Sequence, residues 1–72
     1  MKFKINGEFK TIIDSNAELF LKDLVTQLGY QPQLVVVEVN GVIINPKDWP
    51  STKIKNGDCL EIVTIVGGGS YS

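Results

Sequence analysis

The hydrophobic positions of this chain change period several times, and each change marks an element. Phe3 and Ile5 alternate with Lys2 and Lys4, the signature of a half-buried strand. Asn6-Gly7 follows, a strong hairpin signal, and the returning strand spans Phe9 to Ile13 with Phe9, Thr11 and Ile13 on one side. A strict two-residue turn would set Ile5 opposite Glu8 and Phe3 opposite Lys10, placing charge on the apolar face. An extra loop residue or a bulge near Gly7 is therefore expected, restoring Phe3 and Phe9 to one face.

The period then lengthens. Leu21, Leu24, Val25 and Leu28 recur at helical spacing. Asp14-Ser15-Asn16 offers caps, Ser15 with Glu18 fits a capping box, and Gly29 with Pro32 beyond it closes the segment. The helix is predicted from residue 17 or 18 to 28. Leu34 to Asn40 returns to period two, with Val35, Val37 and Val39 inward and Glu38 on the wet face. Asn40-Gly41 turns this strand back so that Val39 faces Val42 and Val37 faces Ile44. Asn45-Pro46 ends the hairpin. Lys47 to Thr52 reads as an irregular or single-turn stretch, and Asn56-Gly57-Asp58 as another turn. Cys59 to Val66 is the last strand, with Leu60 and Ile62 inward and Glu61 outward.

The order is β-β-α-β-β-β. The helix can bury its leucine stripe only against a sheet, so the fold class is α+β, a mixed four- to five-stranded sheet with one helix packed across a face. A final strand this rich in β-branched residues belongs in the sheet interior, parallel to the first. That is the β-grasp, or ubiquitin-like, arrangement.

Composition narrows the function. Seventy-two residues make one domain, burying only about 60% of the unfolded surface. We expect residues 1–66 to form it and residues 67–72 to be a flexible glycine-rich tail. With net charge −1 and no basic stripe, nucleic acid is an unfavourable partner. There is no histidine, which removes Ser-His and Cys-His catalysis and histidine metal sites. The single cysteine, Cys59, can form no internal disulfide and hold no four-thiolate cluster. Its position at a strand start, with no base nearby in sequence, favours a structural role over a persulfide relay. No signal peptide or membrane-spanning run is read, so the expectation is a cytoplasmic protein, monomeric when free. Lys2, Lys4 and Lys10 are expected to form a solvated strand face, and Trp49 a lid over the core.

The strand-like IVTIV runs straight into Gly67-Gly68-Gly69, with only Ser70-Tyr71-Ser72 after it. Glycine has no Cβ, so such a tail can lie extended in a channel too narrow for other residues and bring a carboxylate to a bound nucleotide. Val63 and Ile65 share the face of Glu61, opposite Leu60 and Ile62. Open to solvent, and with Val36 nearby, they would form an apolar patch suited to partner docking; ordinary surface exposure or packing under an unpredicted loop is the competing reading.

These stretches together resemble the sulfur carrier proteins of thiamine biosynthesis (ThiS-type), relatives of the molybdopterin synthase small subunit. The resemblance rests on Phe3-Lys4-Ile5-Asn6-Gly7, Leu21-Lys22-Asp23-Leu24-Val25, the hairpin from Val36 to Ile44, the Trp49 segment, Asn56-Gly57-Asp58, and Glu61-Ile62-Val63 leading into the glycines. It covers nearly the whole chain. It implies a carrier and not an enzyme, binding no cofactor of its own. An adenylating enzyme related to ubiquitin activators would use ATP and magnesium to adenylate the terminal glycine. Sulfur from a cysteine desulfurase or another donor would convert it to a thiocarboxylate, and a thiazole synthase would accept that sulfur. Family members end at glycine, so the Ser70-Tyr71-Ser72 extension departs from the pattern. Either it is trimmed, or it is an artefact, or this chain carries no sulfur. Gly69 is the expected sulfur-bearing end after trimming, with Gly68 before it; an end at Gly67-Gly68 is the alternative. The molybdopterin synthase carrier, a ubiquitin-like modifier joined to lysines, and an inert-tailed interaction module are the other functions that fit.

Overall fold

A computed structural model describes residues 1–12 and 18–65. The elements are β1 (Lys2–Ile5), β2 (Glu8–Thr11), α1 (Leu21–Gln27), β3 (Val35–Val39), β4 (Val42–Ile43) and β5 (Cys59–Thr64). Short 3-10 turns cover Pro32–Leu34 and Pro46–Ser51. The five strands form one mixed sheet in the order β2-β1-β5-β3-β4, with β5 central, parallel to β1 and antiparallel to β3. This is the expected α+β, β-grasp arrangement.

One face of the sheet carries the core. Phe3 and Ile5 of β1, Val35 and Val37 of β3, and Leu60 and Ile62 of β5 are buried against Leu21, Leu24 and Val25 of α1. Trp49 closes the end of this layer, only 2% exposed, and its indole N–H donates to the Ile44 carbonyl at 3.0 Å. The expected lid is thus in place. Its 3-10 turn is started by Asn45, whose side chain accepts from the Lys47 amide at 3.1 Å, and contains Pro50, which has no N–H to offer a longer helix.

Three expectations are corrected. The first hairpin has no bulge. Ile5 pairs with Glu8 and Phe3 with Lys10, across a two-residue turn in which Asn6 and Gly7 both have positive φ (51° and 83°). That is the backbone a tight hairpin twisted like its strands requires. Phe9 consequently stands opposite Lys4 on the outer face, 63% exposed. Phe9 is tolerated there because the ammonium groups of Lys2 and Lys4 lie 4.7 and 4.8 Å from its ring centre. Lys10 leaves the expected lysine face for the other one. The inward direction costs nothing at β2, because this edge strand reaches past the helix and all four of its residues are exposed.

Second, α1 starts at Leu21, not at residue 17 or 18, and Ser15 of the expected capping box lies outside the described residues. Leu19 and Phe20 are extended instead. Phe20 bridges Lys53, the Ile54 amide donates to the Leu19 carbonyl, and the Leu21 amide donates to the Thr52 carbonyl, both at 2.7 Å. This short pairing buries Leu19 and Ile54, a gain that outweighs one more helical turn. Glu18 meets Lys53 at 3.2 Å. Third, the helix stops at Gln27. Leu28 becomes an exposed cap residue, and Gly29 (φ 85°) reverses the chain as expected.

The second hairpin follows the expected register, with Val39 opposite Val42, and the Ile44 amide donating to the Val37 carbonyl. β3 and β4 are shorter than expected; Leu34 falls in the preceding turn. β5 ends at Thr64, while Val66 and Ile13 lie outside the described residues.

Candidate functional site at the exit of the central strand

β5 is the spine of the sheet, and its carboxyl end points the chain toward the glycines. Two asparagines fix its course. On the β1 side the ladder runs from Lys4 to the Asp58 carbonyl and from Asn6 to the Leu60 carbonyl, each at 2.9 Å. There β1 ends, and the Asn6 side chain supplies the next rung. Its Oδ1 accepts from the Ile62 amide at 2.7 Å and its Nδ2 donates to the Ile62 carbonyl at 3.2 Å. A primary amide has the donor and acceptor of a peptide group, so the turn residue extends the ladder by one residue. On the β3 side, Asn40 clamps the start of β5. Its Oδ1 accepts from the Cys59 amide and its Nδ2 donates to Asp58, both at 3.0 Å. Two of the three Asn-Gly turns thus hold the central strand, Asn40 at its start and Asn6 at Ile62.

The outer face of the sheet has no helix over it among the described residues. There Val63 and Ile65 are 58% and 48% exposed. Val36, half-buried, is the cross-strand partner of Val63, and the Ile65 amide donates to the Leu34 carbonyl. The three residues expected to line an apolar patch therefore sit together beside the exit of β5. The hydrophobic reading missed Ile43, on the same face opposite Glu38 and 66% exposed. It follows from the two-residue turn at Asn40-Gly41, since Val42 and Ile43 must point to opposite faces. Glu38 and Glu61 stand directly opposite each other on this face.

Gly67, Gly68 and Gly69 lie outside the described residues. Cys59 is exposed on the outer face, across from Lys4 and far along β5 from its exit. A hollow of about 170 Å³, bordered by Lys2, Lys4, Phe9 and Cys59, sits at that same distant end. Among the described residues no group of three or more histidines, cysteines or carboxylates could hold a metal ion. No helix there is long and apolar enough to cross a membrane.

A mixed five-stranded sheet with β5 central and one helix across a face defines the β-grasp, ubiquitin-like class. Residues 3–69 match the ThiS family model, so the chain belongs to the ThiS family. It is similar to the thiamine biosynthesis protein ThiS of Geobacter metallireducens, whose crystal structure superposes with a TM-score of 0.79 at 31% identity, covering 96% of this chain and 100% of that one. An uncharacterized protein, ycf40, of Trieres chinensis is 44% identical over 68 residues, which cover 93% of this chain and 88% of that protein. A thiazole synthase of Paramagnetospirillum magneticum is 36% identical over 70 residues, 97% of this chain and only 21% of that much longer protein.

Proposed function

We propose that this chain is the sulfur carrier of thiazole formation, with Gly69 as the atom-bearing end once Ser70-Tyr71-Ser72 is removed. The observation that carries the reading is the family match, which runs through the glycine run to residue 69. The folded body, residues 1–66, is a handle; residues 67–72 are the tail. The chemistry belongs to its partners. An adenylating enzyme of the ubiquitin-activator type binds ATP and magnesium. A carboxylate oxygen of Gly69 attacks the α-phosphorus, pyrophosphate leaves, and the acyl-adenylate forms. The terminal sulfur of a persulfide, supplied by a cysteine desulfurase or another donor, then attacks the acyl carbon, and AMP leaves with the adenylated oxygen. A thiol reductant cleaves the resulting acyl disulfide, leaving the thiocarboxylate and a disulfide on the donor side.

Thiazole synthase is the proposed acceptor. Two thiazole synthases, from Paramagnetospirillum magneticum and Magnetococcus marinus, contain a stretch similar to nearly all of this chain. A carrier fused to its acceptor has a high effective concentration there, which favours a working pair. The same similarity favours the thiamine reading over the molybdopterin one. Val36, Val63 and Ile65 form the docking patch that seats the body while the tail reaches into the enzyme. The chain itself performs no catalysis and acts in the cytoplasm.

Pyrophosphate exchange tests the first step. The chain ending at Gly69, added to the adenylating enzyme with ATP and magnesium, should drive exchange of labelled pyrophosphate into ATP. A chain ending at Val66 should not. Equal exchange with both would remove the glycine end from the mechanism.

A further inference from the structure

Asn-Gly occurs three times in the chain, and the two turns that hold β5 both depend on an intact primary amide. Asn6 accepts from the Ile62 amide and donates to the Ile62 carbonyl. Asn40 accepts from the Cys59 amide and donates to the Asp58 carboxylate. The backbone amides of these two asparagines also donate to β5, to the Leu60 and Cys59 carbonyls at 2.9 and 2.7 Å. The third dipeptide, Asn56-Gly57, lies in the turn ahead of β5, closed by the Asp58 amide donating to the Lys55 carbonyl. Asn56 is exposed, and its Oδ1 accepts from the Lys2 amide at 2.8 Å. The Gly57 amide donates back to the Lys2 carbonyl at 2.7 Å. Both restraints therefore end on one exposed residue, at a level of β1 that the β5 ladder does not reach. The Nδ2 of Asn56 has no hydrogen-bond partner among the described residues.

We propose that Asn56 is the chain's site of spontaneous deamidation, and that the fold shields Asn6 and Asn40 from the same reaction. The Gly57 nitrogen gives its proton to solvent base and attacks Cγ of Asn56; glycine puts no Cβ in the way. The bond from Cγ to the side-chain nitrogen breaks, and that nitrogen takes up protons and leaves as ammonia. Water then opens the five-membered imide at either carbonyl, giving aspartate or isoaspartate. One water is consumed, one ammonia is released, and nothing is oxidised. Ring closure needs the side chain to swing onto the next backbone nitrogen. For Asn6 and Asn40 this breaks both side-chain bonds to the central strand and unwinds a hairpin turn held at φ 51° or 53°. Openings of that kind approach global unfolding. For Asn56, one detachment of the turn from Lys2 frees both the attacking nitrogen and the attacked amide, and no rung between strands is lost. The consequences differ as well. Aspartate at position 56 still offers an oxygen to the Lys2 amide. At position 40 it would set a carboxylate oxygen about where Nδ2 now stands, 3.0 Å from Asp58, and at position 6 an acceptor against the Ile62 carbonyl. The amides that the sheet needs are the ones that it shields. Either product at position 56 adds one negative charge to the net −1 of the chain, and isoaspartate lengthens the turn by a backbone methylene. None of this depends on the sulfur-carrier reading.

The test incubates the whole chain in mildly alkaline buffer, with and without urea, and follows the mass gain of amide-to-acid conversion at each position over time. Cleavage after lysine places the three asparagines in separate peptides, residues 5–10, 23–47 and 56–72. In urea all three should convert. In the native chain Asn56 should convert within about tenfold of its rate in urea, while Asn6 and Asn40 should slow about a hundredfold or more. Asn56→Gln, whose longer side chain would have to close a six-membered ring, should remove the acidic form that native incubation produces. Asn56→Asp should keep the native urea midpoint closely, whereas Asn40→Asp should lower it or leave the chain unfolded. Native conversion of Asn6 or Asn40 as fast as that of Asn56 overturns the proposal. So does an Asn56 slowed as much as they are, an acidic form that persists in Asn56→Gln, or equal midpoints for the two aspartate variants.

Discussion

Asn6 is the residue whose replacement most sharply separates the forces holding the central strand. Replacing it with alanine removes two hydrogen bonds to Ile62, at 2.7 and 3.2 Å, and places a Cβ-bearing residue without a polar side chain at φ 51°. Each bond contributes about 0.5–1.5 kcal/mol net, and the left-handed backbone costs alanine a further 1–2 kcal/mol or so. Asn6→Ala should therefore lose about 2–5 kcal/mol. Asn6→Gly loses the same two bonds but adopts the turn freely, so it should lose about 1–3 kcal/mol. Against roughly 5 kcal/mol of stability for a domain of this size, the alanine variant would be close to unfolding. Trp49, the one tryptophan and fully inside, reports unfolding by fluorescence in a urea titration. Amide exchange at Ile62 should accelerate in both variants relative to Ile54, whose amide donates to the Leu19 carbonyl away from this rung. If Asn6→Gly is as stable as the native chain, the side-chain rung contributes nothing. If the two variants are equally unstable, the backbone argument fails.

Other outcomes follow from the same packing. Phe3→Ala opens a cavity in the core and should cost about 3–5 kcal/mol, whereas Phe9→Ala on the exposed edge strand should cost about 1 kcal/mol or less, both read from urea midpoints. Trp49→Phe keeps most of the apolar volume but leaves the Ile44 carbonyl without its indole donor, and should lose about 1–3 kcal/mol in the same titration. Val63→Asp should leave the melting temperature nearly unchanged, since Val63 is largely exposed, yet abolish pyrophosphate exchange with the adenylating enzyme. Retained exchange would remove the outer face from docking.

Sequence periodicity located this fold wherever burial is one-sided. Val35 and Val37, or Leu60 and Ile62, could face only inward, and the β-branched residues crowding the end of β5 placed it in the middle of the sheet. The reasoning failed at Phe9 and at the start of the helix, for different reasons. Phe9 was assigned to the core face by type, but turn geometry ranks above side-chain preference over short distances. Asn6-Gly7 fixes the register, and Phe9 goes where the register sends it, shielded by two lysines. Leu19 is buried by a pairing with Ile54 that lies far away in sequence, which no local pattern displays. At the site, the parity of Glu61 gave away Val63 and Ile65. The clamp made by Asn6 was hidden, because Asn-Gly reads first as a turn and only the parallel crossover brings β5 alongside it.

The most direct test of the carrier assignment is the intact mass of the chain ending at Gly69 after incubation with the adenylating enzyme, ATP, magnesium and a sulfur donor. A mass increase equal to the exchange of one oxygen for sulfur, confined to the C-terminal fragment and absent without ATP, is the predicted result. An unchanged mass, with ATP consumed and the donor active on another carrier, would contradict it.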